Sequence, residues 1–339
     1  MGSSILKIQK IGFQWPMENP FIFCAHHYDL YPSGNDLLGP SVSLRGRGLG
    51  TDFSNKDGFS MYHGEVVPGF PAHPHRGFET ITIVKTGYVD HFDSNGAKGR
   101  YGNGDVQWLT TGKGCQHAEM FPLIHKEAPN PLELFQIWLN LPTKDKFVEP
   151  DYKMLWNEKV PVVNYKDESG YVTEIRVIAG EIFNHKAEKT TIASWASNPD
   201  NHVNIFMIKM EPNAKLVLFK GPLTINRNLY YYQGEASIMI DDVNIDSKHH
   251  VKLMGHQDII IHNGSKDSYF ILLEAEPINE PVFQYGPFVM STKEEVVKAY
   301  QDYQETQFGG WPWNRFDPVN EAGSGRFAQY SDGSIEKPE

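Results

Sequence analysis

Cysteine is almost missing from this chain. Only Cys24 and Cys115 occur among 339 residues, so no disulfide framework is implied and a reducing, cytoplasmic location is expected. An excess of basic charge is missing too. Lys and Arg total 31 against 42 Asp and Glu, a net charge of −11, which leaves no basic face for phosphates and argues against direct binding of nucleic acid. Long apolar runs are absent: stretches such as Phe135 to Leu141 are too short to cross a bilayer, and Met1 to Pro20 contains no secretory h-region, so no membrane partner is expected. Helical periodicity is nearly absent before residue 290.

What the chain has instead is short runs rich in Val, Ile, Tyr, Phe and Thr, separated by Gly, Asn, Asp and Pro turns. Thr80 to Val89, Asp105 to Thr110, Leu132 to Leu141, Ile175 to Ile178, Val203 to Met210, Leu229 to Ile240, Ile259 to His262 and Tyr269 to Glu274 all have this character. Many short strands at regular spacing predict an all-β fold of sandwiches or barrels. The polar, Pro-bounded stretch from Pro142 to Pro161 reads as a linker, dividing the chain into residues 1–148 and 149–290. The two halves look like repeats: Thr82-Ile-Val-Lys-Thr-Gly87 parallels Leu229-Tyr-Tyr-Tyr-Gln-Gly234, and Gly104-Asp105 parallels Gln257-Asp258 at the start of the next strand. Residues 291–339 differ. Thr292 as N-cap with Glu295 forms a capping box, and Val296, Ala299, Tyr300 and Tyr303 form an apolar stripe, which predicts a helix over 292–306. An extended arm from Gly309 carries Trp311 and Trp313 for packing on the barrel.

The chemistry concentrates in the first half. His73-Pro-His75 and His117-Ala-Glu119 each place two potential ligands two residues apart, hence on one face of a strand. If the two strands are neighbours, three imidazoles and a carboxylate converge. Such a set leaves positions open and suits iron, nickel, copper, manganese or zinc. Glu79 shares the odd-numbered face with His73 and His75 if the strand runs unbroken through Arg76-Gly77, so spacing alone leaves Glu79 and Glu119 both open as the carboxylate. At the matching offsets the second half has Lys220 and Pro222 and no His-x-Glu, only His262, so no second metal site is expected. Cys115 reads as a small buried side chain. His63 and His91 are candidates to line the pocket or to sit at the surface. His26-His27 and His249-His250 read as solvated loop residues, and Gln107, Trp108, Gln136 and Trp138 as barrel wall.

From Gly69 to Pro142 the chain resembles the pirins. The resemblance rests on Gly-Phe-Pro-Ala-His73-Pro-His75-Arg-Gly-Phe-Glu79-Thr, on Gly104-Asp-Val-Gln-Trp108, on Gly112-Lys-Gly-Cys-Gln-His117-Ala-Glu119, and on Gln136-Ile-Trp-Leu-Asn-Leu-Pro142. It returns at Glu276-Pro-Ile-Asn-Glu-Pro281 and Tyr285-Gly-Pro-Phe-Val-Met290. Leu109-Thr110-Thr111 and the arm after Gly309 depart from the family pattern. The resemblance implies two tandem cupin barrels, jelly-roll-like, with a C-terminal helix and arm. It implies one divalent metal in the first barrel, iron foremost with nickel, manganese, copper, cobalt and zinc open, and none in the second. Its ligands would fall on His73, His75, His117 and Glu119, leaving Glu79 to orient an imidazole.

The resemblance also implies an activity of the quercetin 2,3-dioxygenase type. Its partners would be a small aromatic substrate such as a flavonol, and dioxygen. Glu119 would be the catalytic residue, taking the proton of the flavonol 3-hydroxyl before the ring opens and carbon monoxide leaves. The alternative it implies is non-enzymatic: a regulator that binds a transcription factor or a metabolic enzyme, with a structural or redox-sensing metal.

Overall fold

β-Branched and aromatic residues alternate between turns through most of the chain, and they form antiparallel strands there. The structure, a computed structural model, describes residues 3–339. In chain order the first strands are β1 (Ile5–Lys10), β2 (Phe21–Tyr31), β3 (Gly69–His75), β4 (Phe78–Thr86), β5 (Tyr88–Asp93), β6 (Lys98–Gly102), β7 (Val106–Thr110), β8 (Cys115–Met120), β9 (Asn130–Asn140) and β10 (Asp151–Leu155). Of these, β2 to β10 build the N-terminal cupin barrel from two sheets. One has the order β10-β7-β4-β9-β2; the other runs β3-β8-β5-β6 and continues into Phe327–Gln329 and Ile335–Glu336. The fold is all-β with two such barrels, a C-terminal helix α1 (Lys293–Thr306) and an extended arm, as the sequence led us to expect.

The chain divides into two compact units, one containing the segment up to Ala25 with Lys159–Asn279, the other His26–Glu158 with Glu280–Glu339. This differs from the division at 148/149 and 290/291, because strands distant in sequence complete each barrel's edges. β1 pairs with His249–Met254 in the C-terminal barrel, Ile8 opposite Val251. The supposed linker contains β10, which pairs with β7, Asp151 opposite Thr110. Phe327–Gln329 pairs with β6, Phe327 opposite Arg100. Neither His pair lies in a loop. His26 and His27 are in β2, and His250 is buried in a strand with its Nε2 2.8 Å from Asn228 Oδ1.

The interiors of the barrels differ in chemistry. The C-terminal barrel is filled by Val177, Phe206, Ile208, Leu229, Tyr231, Phe270, Leu272 and other buried apolar side chains. In the repeat, Thr82 of β4 is the counterpart of Leu229. Thr82 is buried, and its hydroxyl lies among polar side chains rather than hydrocarbon. The N-terminal barrel also buries apolar side chains such as Val84, Leu109 and Leu134, but it keeps polar groups around Thr82 where the second barrel is packed with hydrocarbon.

α1 begins with the expected capping box: Thr292 Oγ1 accepts from Glu295 N–H, and the Glu295 carboxylate accepts from Thr292 N–H. Val296 and Ala299, with Tyr300 and Tyr303, pack on Phe288 and Met290. Past the helix, Trp313 Nε1 donates to Asp93 O at 2.8 Å and its ring meets Phe92 edge-on at 4.9 Å, so this tryptophan docks on the barrel as anticipated. Trp311 Nε1 donates instead within the arm, to Arg315 O.

Arg100 fixes the rest of the arm. Its buried guanidinium binds both oxygens of Asp90, at 2.7 and 2.8 Å, and donates to the carbonyls of Asn320, Glu321 and Ala322 at 3.0 Å. Arg100→Met strands the buried Asp90 carboxylate. Denaturant unfolding is expected to show a loss of about 3–5 kcal/mol, and limited proteolysis to show earlier cleavage within residues 314–330.

Candidate metal centre

The candidate ligand pairs meet because of register. β3 and β8 are antiparallel neighbours with His73 opposite His117 and His75 opposite Cys115, and directly opposed residues share a face. Phe70 lies opposite Glu119, so β3 carries one more residue than β8 over this stretch, a bulge at Pro71-Ala72. The bulge keeps Phe70 and His73 on one face although three positions separate them. On the other side of β8, β5 sets Asp93 opposite His117 and His91 opposite Glu119.

The result is a cluster of three imidazoles, with candidate ligand atoms of His73, His75 and His117 all within 4.8 Å of one another. Two of the rings are held by carbonyls. His73 Nδ1 is 2.8 Å from Pro71 O and His75 Nδ1 is 3.4 Å from Pro287 O. A carbonyl only accepts, so each Nδ1 bears the hydrogen and each Nε2 keeps its lone pair for a metal.

His117 is fully buried, and neither of its ring nitrogens has a hydrogen-bond partner among the described residues. A buried imidazole left unsatisfied is costly unless something else meets it. A divalent cation bound by a bare nitrogen fits that need, and the donor set of neutral imidazoles fits the cation. Burial, the largest cause, holds His73 down at about 4 and His75 and His117 well below the ordinary imidazole value. The three rings are therefore uncharged at neutral pH.

Glu119 lies beside this cluster, its Oε2 3.7 Å from His117 Nε2. Thr82 Oγ1 donates to Glu119 Oε1 at 2.9 Å, and the Tyr101 hydroxyl adds a second hydrogen bond. Burial raises the Glu119 carboxyl above its ordinary value, and these bonds with the nearby His91 oppose the rise. Glu79 lies elsewhere. The chain breaks at Arg76-Gly77, where Gly77 has φ +87° and a Cβ would stand 2.1 Å from Val289 O, and β3 and β4 enter different sheets. On β4 the lumen face is that of Thr82, so Glu79 points the opposite way, accepting from Trp108 Nε1 at 2.9 Å and Thr110 Oγ1 at 2.8 Å. The strand does not run unbroken through Arg76-Gly77, so the condition for Glu79 to share a face with His73 and His75 is not met. Carbonyls, not Glu79, orient the rings of His73 and His75.

The other candidates are placed as follows. Cys115 is buried next to the site and burial pushes its thiol up, in keeping with a small packed side chain. His91 is buried, stacked on Tyr152 at 5.2 Å with Nε2 3.3 Å from Asp93 Oδ2, while His63 is exposed, its Nδ1 2.7 Å from Gly50 O. Gln136 faces the lumen, its side-chain Oε1 2.7 Å from Thr82 Oγ1. Thr82, Tyr101 and Pro287 were not foreseen. Period-two alternation from Thr80 could have flagged Thr82, whereas no local signal ties Pro287 to His75.

A tandem pair of cupin barrels whose first lumen gathers three histidines defines a bicupin with a candidate metal centre. Residues 47–139 match the Pirin family model and residues 205–309 the Pirin C-terminal cupin domain. A pirin-like protein of Solanum lycopersicum is 37% identical over 238 residues, covering 70% of this chain and 75% of its own length. Pirin of Homo sapiens is 35% identical over 257 residues, covering 74% and 81%. The crystal structure of quercetin 2,3-dioxygenase from Acinetobacter baumannii superposes with a TM-score of 0.71 at 26% identity, covering 91% of this chain and 99% of that one. The chain belongs to the pirin family. Among the described residues no helix is long and apolar enough to cross a membrane.

Two outcomes follow from the buried imidazoles. His117→Ala is expected to remove most bound metal while circular dichroism stays that of a folded β-protein, with elemental analysis as the readout. In metal-free protein the unfolded chain takes up protons before the folded one, since the folded imidazoles titrate below 6.5. Their contribution to stability is full above pH 6.5 and is lost as the pH falls toward 4. Thermal midpoints measured across that window are expected to drop in apo wild type, and less steeply in His117→Ala.

Proposed function

We propose that this chain is a metal-dependent dioxygenase of the quercetin 2,3-dioxygenase type, with one divalent ion, iron foremost, on His73, His75, His117 and Glu119. The observation that carries the reading is a set of three neutral imidazoles beside one hydrogen-bonded carboxylate in a polar lumen. The ion would supply Lewis acidity toward a substrate hydroxyl and electronic contact between an aromatic enolate and dioxygen. Glu119 takes the proton of the flavonol 3-hydroxyl. Burial raises its carboxyl above the ordinary value, which makes it a stronger base than an exposed glutamate, and the Thr82 hydroxyl steadies one oxygen while the other, swung off the ion, receives the proton.

Aromatic rings support a flat aromatic substrate. Phe70 stands 6.3 Å from the His73 ring and is stacked on Tyr62 at 5.2 Å, with His63 at 5.7 Å and Phe53 at 6.4 Å. Trp138 closes the other side, 5.3 Å from His75. Ring contacts of this sort contribute about 0.5–1.5 kcal/mol each beyond burial. The C-terminal barrel is read as metal-free because apolar side chains fill its interior.

The test is elemental analysis of protein purified without chelators, followed by oxygen uptake with quercetin. One ion per chain and measurable uptake are expected. Glu119→Gln, with metal retained, is expected to lower turnover by about 10²- to 10⁴-fold, and Glu79→Gln by far less. If iron-, nickel- and manganese-loaded wild type all leave oxygen unconsumed, the reading fails, and a regulator that binds a protein partner becomes the better one.

A further inference from the structure

Every ligand histidine has a chain neighbour that is held from outside the barrel by the C-terminal segment. At the bulge before His73, Ala72 N–H donates to Phe316 O at 2.7 Å. Next to His75, the buried Arg76 donates from Nη1 to Asp302 Oδ2 at 2.8 Å, and its guanidinium lies 4.4 Å above the Phe308 ring. Arg76 O also accepts from Val289 N–H at 3.0 Å, and His75 itself meets Pro287 O. Next to His117, the buried Gln116 donates from Nε2 to Gln307 O at 2.9 Å and Gly310 O at 3.1 Å, while its Oε1 accepts from Tyr303 Oη at 2.9 Å.

These contacts share a geometric cause. Successive side chains of a strand alternate faces, so residues flanking an inward ligand point outward. Gln116 of β8 is thus a handle on the outer face of its strand, Arg76 is a second handle at the corner directly after His75, and α1 with the arm grips both. Asp302 and Tyr303 are adjacent on α1 and reach different strands, which couples β3 to β8 through the helix. A shift of the helix end would change the spacing between His75 and His117.

We propose that residues 302–316 form a clamp that sets the relative positions of His73, His75 and His117, so that metal binding and docking of this segment stabilise each other. Arg76, Gln116, Asp302 and Tyr303 are positioning residues: they act through the neighbouring histidines. Coupling of this kind is reciprocal, so loosening the clamp weakens metal binding by the factor by which metal tightens the clamp.

The proposal rests on the three histidines being ligands, and Co(II) titration of the wild type tests that separately. With cobalt binding in hand, Tyr303→Phe, Asp302→Asn and Gln116→Ala are titrated with Co(II), recording the d–d absorption bands. Tyr303→Phe removes one hydroxyl and keeps the ring, so it serves if the others fold poorly. Each is expected to weaken cobalt binding by about 10- to 100-fold, the scale of losing a group that orients a ligand, and to alter the bands. Amide exchange in the wild type is expected to slow over 293–316 on adding Co(II), with strand Ser268–Ala275 of the C-terminal barrel unchanged. The clamp is overturned if the variants bind cobalt with wild-type affinity and bands, or if exchange over 293–316 ignores the metal.

Discussion

Three imidazoles buried within reach of one another constrain everything around them. Each must stay neutral, because burial disfavours the imidazolium and each neighbour would repel it. Each must also keep one nitrogen bare. The protein meets this by giving His73 and His75 carbonyl acceptors at Nδ1 and by leaving His117 without a protein partner among the described residues. The sense of a cluster so arranged lies in what it can bind. The polar lumen follows from the same demand, since Thr82, Tyr101 and Gln136 satisfy the carboxylate and one another where the second barrel has hydrocarbon.

Register converts that constraint into geometry. Opposition of His73 and His117 across β3 and β8, with the bulge at Pro71-Ala72, puts Phe70, His73, His75, His117 and Glu119 on one face. The bulge also brings Pro71 O to His73 Nδ1, so one local irregularity both aims the imidazole and fixes its tautomer. At the other end of β3 the Gly77 corner sends β4 into the opposite sheet and carries Glu79 out of the lumen. The two glutamates, equivalent by spacing, are separated by a single glycine.

The C-terminal segment gives the site a long-range element. Residues beyond 285 contribute a carbonyl to His75 and hydrogen bonds to Arg76 and Gln116. In the same way β1 completes an edge of the C-terminal barrel. Each chain end thus serves the barrel other than the one nearest in sequence, which is why composition misplaced the divisions between units.

The sequence by itself determined the all-β class, the repeat, the capped helix and the two same-face ligand pairs. These depend on local rules: alternation along a strand, turn residues, and the side-chain chemistry of a cap. It also marked the second half as lacking the pairs, since polar ligands cannot be hidden in an apolar run. Tertiary structure decided the rest. Whether Glu79 or Glu119 faces the histidines depends on a corner that spacing cannot reveal. That His26 and His250 sit in strands depends on the pairing of β2 with β9 and of His249–Met254 with Asn226–Gly234. The arm's role depends on contacts such as Arg76 with Asp302, between residues far apart in the chain. Such pairings form only when long-range packing closes the barrel, and no local pattern records them.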